Sequence, residues 1–181
     1  LNCVQTIIDT NIQQAALFLK AGETVAIPTE TVYGLAANAF DVNAVAKIFE
    51  AKNRPFFDPL IVHTHALQEV YKLVEEIPKP LLDLAKKYWP GPLTLILPKK
   101  YIIPDLVTSG LPNVGIRIPQ QVETIKLLQQ LDFPLAAPSA NPFGYVSPTS
   151  AQHVYDQLQG KIPYIMDGGE CKVGLESTIV G

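Results

Sequence analysis

Short apolar runs that stop at proline alternate along this chain with stretches of helical periodicity, and that alternation restricts the fold more than any other feature. Thr24-Val25-Ala26-Ile27 stops at Pro28, Leu93 to Leu97 at Pro98, Val114 to Ile118 at Pro119, and Leu135-Ala136-Ala137 at Pro138. Proline has no N–H for a sheet ladder, so each such run reads as a buried strand with a fixed end. Leu60-Ile61-Val62, Tyr164-Ile165-Met166 and Thr178-Ile179-Val180 read as further short strands. Between them, Asn11 to Ala21 puts Ile12, Ala15, Ala16 and Leu19 on one helical face and ends before Gly22. Asp41 can cap a helix over Val42 to Lys52, with Val42, Val45, Ile48 and Phe49 facing inward. Helices are also expected over Leu67 to Glu76, Pro80 to Tyr88, Val122 to Leu131 and Ala151 to Leu158. Thr29 to Ala39 is small, polar and glycine-containing and reads as a loop. Strands that alternate with helices in this way define an open α/β sheet.

Nothing in the pattern marks a repeat, a low-complexity run or a domain boundary, so residues 1–181 read as a single domain. Hydrophobic residues make up 48% and charged residues 17%, which supplies a sizeable core and excludes a disordered chain. No apolar run reaches the roughly 18 residues of a membrane span, and no leader pattern opens the chain, so a soluble cytoplasmic protein is the expectation. Cys3 and Cys171 stand far apart and form no metal-ligand spacing with histidines, so no metal site built from side chains is expected. The net charge of −3 gives no bulk attraction to nucleic acid or membrane. Any bound anion must therefore meet a local cluster of cations.

Arg54 and Arg117 are the two arginines among 14 basic residues. Arginine is the better fork for phosphate or carboxylate, which makes these two positions candidates for an anion site; as surface residues they would need no explanation. Three loops follow buried strands or helices, where ligands bind in open α/β sheets. Pro28-Thr29-Glu30-Thr31-Val32-Tyr33-Gly34 brings hydroxyls and a carboxylate, although threonines also occur in ordinary turns. Lys52-Asn53-Arg54-Pro55 sets two cations one residue apart, as phosphate prongs or as charges on a helix dipole. Ser139-Ala140-Asn141-Pro142, with Ser147-Pro148-Thr149 beyond it, offers small polar groups for phosphate or ribose, or simply for capping. His63 ends a buried strand. The usual phosphate-loop, dinucleotide and nucleophile-elbow motifs are absent.

Together these segments resemble the YrdC-like threonylcarbamoyl-adenylate synthase family, from about Gly22 to Gly181. The resemblance is carried by Pro28 to Gly34, Lys52-x-Arg54-Pro55, Pro59-Leu60-Ile61-Val62 and Trp89-Pro90-Gly91-Pro92-Leu93-Thr94. Val114 to Pro119, Pro138 to Asn141 and Glu176-Ser177-Thr178 complete it. It implies a twisted open mixed sheet with flanking helices around a positively lined cavity. It implies condensation of L-threonine, bicarbonate and ATP to threonylcarbamoyl-AMP and pyrophosphate, with magnesium accompanying ATP. Downstream transferase proteins would then pass the group to an adenosine beside the tRNA anticodon, with tRNA itself a candidate contact. By the same resemblance, Thr31, His63, Arg117 and Ser177 are threonine-side residues. Arg54, Asp58, Asn113, Ser139, Asn141 and Ser147 are nucleotide-side residues, Asn113 standing where relatives often have threonine. Lys52 and Arg54 are the candidate catalytic cations, and Lys52 could bridge both ligands.

No residue need act as a nucleophile, because phosphoryl transfer asks mainly for in-line placement and charge neutralisation. Family members continue past the Glu-Ser-Thr segment with an Arg-Pro-Gly stretch that helps close the nucleotide site, so the chain reads as trimmed at its C-terminal end. Two other readings fit the same residues. One is an RNA-binding module, which the net charge and few aromatics disfavour. The other is the carbamoyl-adenylate-forming domain of hydrogenase-maturation carbamoyltransferases, whose additional zinc-binding and acylphosphatase domains do not occur in this sequence.

Overall fold

The computed structural model describes residues 5–181, so Cys3 lies outside the described residues. In chain order the strands are β1 Ile7–Asp9, β2 Val25–Ile27, β3 Gly34–Asn38, β4 Ile61–His63, β5 Leu93–Pro98, β6 Asn113–Arg117, β7 Leu135–Ala136, β8 Tyr164–Met166 and β9 Thr178–Val180. The helices are α1 Ile12–Lys20, α2 Val42–Lys52, α3 Leu67–Leu73, α4 Lys79–Tyr88, α5 Asp105–Thr108, α6 Val122–Leu128 and α7 Ala151–Leu158. The strands form one mixed sheet in the order β1-β8-β2-β3-β7-β4-β6-β5-β9. No helix among the described residues is long and apolar enough to cross a membrane.

The two faces of this sheet can be read from alternating side chains, because successive strand residues point to opposite sides. Ala26, Leu35 and Ala37 join one core, which takes in Val45, Ile48 and Phe49 of α2 and Val154 and Leu158 of α7. Val25, Ile27 and Ala36 join the other, with Ala15, Ala16 and Leu19 of α1 and Leu127 and Leu128 of α6. The helix caps follow the expected chemistry. Asn11, Asp41 and Ser150 accept hydrogen bonds from backbone N–H groups in the first turns of α1, α2 and α7.

The structure corrects the expected loop over Thr29 to Ala39. Its second half is β3, antiparallel to β2 and to β7. Gly and Ala carry little strand preference, and here burial on both faces decides. Small side chains let α1 and α2 close on opposite sides of the strand. Val42 was expected to face inward but is half exposed, because it opens α2 beside the capping Asp41. Strand β1 and the single-turn α5 were not anticipated. Both are too short to show periodicity, and β1 is held by parallel pairing to β8.

Two features of register prepare the site. Strands β4 and β6 run parallel, and His63 is the direct partner of Arg117. On the far side of β6, Arg117 pairs with Thr94 of β5. The last residues before β9 then return alongside: Thr94 Oγ1 and Ser177 Oγ are 2.7 Å apart.

Candidate active site

A cavity of about 450 Å³ opens over this part of the sheet, lined by residues from several widely spaced segments of the chain. Arg54, Asp58, His63, Asn113, Arg117, Ser139 and Ser177 all line it. Seven of the residues picked out in the sequence thus meet at one place. Thr31, Lys52, Asn141 and Ser147 do not line it; they stand behind or beside the wall. The lining carries both signs of charge, since Asp58 and Glu176 share it with the two arginines.

At one end, strand register fixes the polar groups. Arg117 is 3% exposed and its Nη2 donates to Glu30 Oε1 at 2.6 Å. The other carboxylate oxygen of Glu30 accepts from the backbone N–H of Gln120 at 2.9 Å. Arg117 Nε is buried without a partner, as is His63 Nδ1 on the neighbouring strand. Burial first, and then the charge of Arg117, push His63 down to about 3, so its imidazole is neutral at ordinary pH. Thr108 Oγ1, in the same lining, is a third buried polar atom without a partner. Buried polar groups in native proteins are nearly always satisfied. Ser109 Oγ, Asn141 Oδ1 and Gln157 Oε1 are likewise buried without partners but lie outside the lining, so such atoms alone do not single out the cavity.

Thr31 lies behind this end. It is fully buried, and its hydroxyl is 2.8 Å from that of Thr29, which in turn donates to the carbonyl of Val32. Thr29, not Thr31, reaches the lining. The hydroxyl of Tyr33 holds the 167–169 segment by donating to the Gly169 carbonyl and accepting from the Gly168 N–H. Val173 and Gly174 donate backbone N–H groups to the carbonyls of Glu30 and Thr31. The segment leading to Ser177 is thereby laced over the Thr29 to Tyr33 turn.

The other end is built from turns. Asn53 stops α2 in the left-handed conformation, and the chain then folds back so that Arg54 Nε donates to the Asp58 carbonyl and Nη2 to that of Pro59. Arg54 Nη2 also lies 2.8 Å from Asp58 Oδ2, and its guanidinium stands over the ring of Phe143. These contacts hold the fork in place and leave Nη1 outside them. Ser139 lines the cavity through its turn after β7, which bridges to Gly34. Asn113 is exposed at the start of β6. Ser147 donates to Glu176 Oε1 at 2.7 Å.

Glu30, Thr94 and Glu176 fall in segments that carry the resemblance but were assigned no role, and Thr108 was not singled out. Glu30 carried a usable signal: a carboxylate straight after a buried strand requires a buried cation, and the chain has two arginines. Thr108 carried none, because only the α5 turn brings it inward.

A second cavity, of about 470 Å³, lies elsewhere and is lined by His65, Glu69, Lys72 and Asp132 among apolar side chains. None of the residues singled out in the sequence borders it.

The structure is an α/β domain with a mixed sheet, and the cavity lined by charged and polar side chains is its candidate ligand site. The chain belongs to the Sua5/YciO/YrdC family, described as telomere recombination, whose pattern matches residues 17–181. It is 49% identical over 180 residues to the threonylcarbamoyl-AMP synthase of Pyrococcus abyssi, covering 99% of this chain and 53% of that protein. It is 47% identical to the threonylcarbamoyl-AMP synthase of Bacillus subtilis, covering 95% of this chain and 50% of that one. The crystal structure of P. abyssi Sua5 complexed with L-threonine superposes with a TM-score of 0.91 at 48% identity, over 97% of this chain and 53% of that chain. The chain spans about half the length of these relatives.

Proposed function

We propose that this domain forms threonylcarbamoyl-AMP and pyrophosphate from L-threonine, bicarbonate and ATP. The observation that carries the proposal is the convergence of His63, Arg117 and Ser177 with Arg54, Asn113 and Ser139 on the lining of one cavity. The names and similarity of the relatives support the same assignment. Threonine fits the strand-built end. Arg117 offers charge to its carboxylate, and neutral His63 and Ser177 offer polar atoms to its amine and hydroxyl.

The neutral amine attacks the carbon of bicarbonate with loss of water, or that of carbon dioxide with release of a proton, and an N-carboxylate forms. An oxygen of that carboxylate attacks the α-phosphorus, and the bond to the β-phosphate oxygen breaks to release pyrophosphate. The carbamate decomposes in water, so the enclosed end of the cavity protects it. At the other end Arg54 would neutralise phosphate charge, and Ser139 and Asn113 in the lining, with Ser147 beside it, would hold the nucleotide. Among the described residues no group of three or more His, Cys, Asp or Glu could hold a metal ion. Magnesium fits as an ion carried by the phosphates, with Asp58 and Glu176 the carboxylates in the lining. When bound it would supply further neutralisation of the triphosphate.

The product would be handed to a transferase acting on tRNA. The test is pyrophosphate release with threonine and bicarbonate omitted in turn. Release that persists without either one rules out this reaction.

A further inference from the structure

We infer that Lys52 is a positioning residue, whose ammonium pins the Ser139–Asn141 turn to the end of α2 and so shapes the wall against which nucleotide phosphates would lie. The inference rests on the assignment of that end of the cavity to the nucleotide. Lys52 is 1% exposed and is not part of the cavity lining. Its Nζ donates to the backbone carbonyls of both Ser139 and Asn141. Its own carbonyl accepts the backbone N–H of Phe143 at 2.8 Å. One residue thus ties the turn down from both its side chain and its backbone.

The turn is secured further from within. Asn141 Nδ2 donates to the carbonyls of Pro142 and Tyr145, and the N–H of Ala140 donates to the Tyr33 carbonyl. Asn141, like Lys52, faces the turn and stays out of the lining. Ser139 is the member of this cluster that reaches the cavity. An ammonium carries three donors and no acceptor, so it suits two converging carbonyls. Without it the Asn141 carbonyl would lose a buried donor and the Ser139 carbonyl would keep only the N–H of Asn141, and the turn would loosen.

Charge links this pin to the ligand. Burial, and after it the charge of Arg54, hold the Lys52 ammonium down to about 7, while Glu176 and Asp58 oppose the shift. The segment 138–144 adds carbonyls and no ionisable side chain. A polyanion beside Arg54 would add to the side of Glu176 and Asp58 and favour the charged amine. By reciprocity the charged amine, which makes the stronger bonds to the turn, favours the polyanion.

The experiment compares the full chain with its Lys52→Met variant. Amide exchange at Phe143 and Tyr145 is followed in nucleotide-free protein, and magnesium–ATP and threonine are titrated separately. Exchange at these amides is expected to speed up about tenfold and ATP affinity to fall about tenfold, as for the loss of charge-assisted bonds. Threonine affinity is expected to fall less than ATP affinity, since Lys52 makes its side-chain bonds to the Ser139–Asn141 turn and none to His63, Arg117 or Ser177. Weaker ATP binding with unchanged exchange would make Lys52 a direct ligand and overturn the inference; so would no change in either. If the wild-type chain binds ATP but not threonine, the proposed reaction fails while the exchange result still decides the role of Lys52. Should the methionine variant not fold, Lys52→Gln, which keeps a neutral donor, is put through the same exchange and ATP measurements, with the same results expected and the same results overturning the inference.

Discussion

The two ends of the cavity are made by different means. At the His63–Arg117 end, parallel pairing of β4 and β6 sets the residues side by side, and each is 3% exposed. At the Arg54–Ser139 end, turns do the placing, and Phe56 and Phe57 beside them are 63% and 80% exposed. Both ends hold an arginine paired to a carboxylate, so they differ chiefly in burial. A buried pair is locked in, because removing one partner strands a charge. A pair near solvent is replaceable by water. The strand-built end is thus suited to reading a small, fixed ligand, and the turn-built end to admitting a larger, flexible one.

Glu30→Ala should break the comparison most severely if the ends are in fact alike. It leaves Arg117 buried without its partner, and about 3–5 kcal/mol of folding stability should be lost. Asp58→Ala removes the equivalent partner of Arg54, but its side chain is 35% exposed, and about 0–1 kcal/mol is expected. Denaturant unfolding of the two variants measures the contrast. Equal losses would show that burial does not separate the ends.

Arg54→Ala should act on binding, with little effect on folding. Loss of a charge-assisted contact to phosphate is expected to weaken ATP by about 1.5–3 kcal/mol. Arg54→Lys should recover only part, because an ammonium cannot supply the fork. Titration of ATP into each variant checks both. Unchanged affinity in the alanine variant would remove Arg54 from the site.

The same difference in construction explains what could be read from the sequence. Strands β5, β6 and β8 were legible because apolar runs with proline or glycine punctuation leave few alternatives. Strand β3 was not, because Leu35-Ala36-Ala37 is a strand only by virtue of the helices that cover it. Arg54, Arg117, His63 and Ser139 could be picked out by residue type and by position after an element. Their grouping could not, since strand register decides that His63 faces Arg117, and register is a property of pairing, not of local sequence. The placement of Lys52 shows the remaining limit. Its position beside Arg54 suggested a second phosphate prong, whereas the carbonyls of a turn 87 residues away receive its donors.

His63 offers a sharper probe of the buried end through acid sensitivity. Its folded value is pushed down to about 3, below the ordinary 6.5. The unfolded chain therefore binds the proton more readily, and stability should fall as pH drops from about 6.5 towards 3. Above that window the group contributes no slope. His63→Gln cannot titrate and should flatten this acid limb, as read from thermal unfolding at a series of pH values. An unchanged acid limb would mean that His63 is protonated or hydrated in the folded state.

Ser147→Ala should have the smallest effect, and its smallness is informative. The Ser147 hydroxyl donates to Glu176 Oε1 at 2.7 Å in an exposed setting, and both groups can turn to water instead. Folding stability should therefore change by no more than about 0.5 kcal/mol. A hydroxyl that also reaches the nucleotide would contribute about 1 kcal/mol to binding, or roughly fivefold in affinity. The variant thus separates the two uses of the side chain: denaturant unfolding reports the link to Glu176, and ATP titration reports the ligand contact. A fivefold loss of affinity at constant stability would fit a turn-built end whose groups are free to meet a ligand. A stability loss approaching that of Glu30→Ala would mean that the Ser147–Glu176 link is structural, and that the two ends of the cavity are equally rigid.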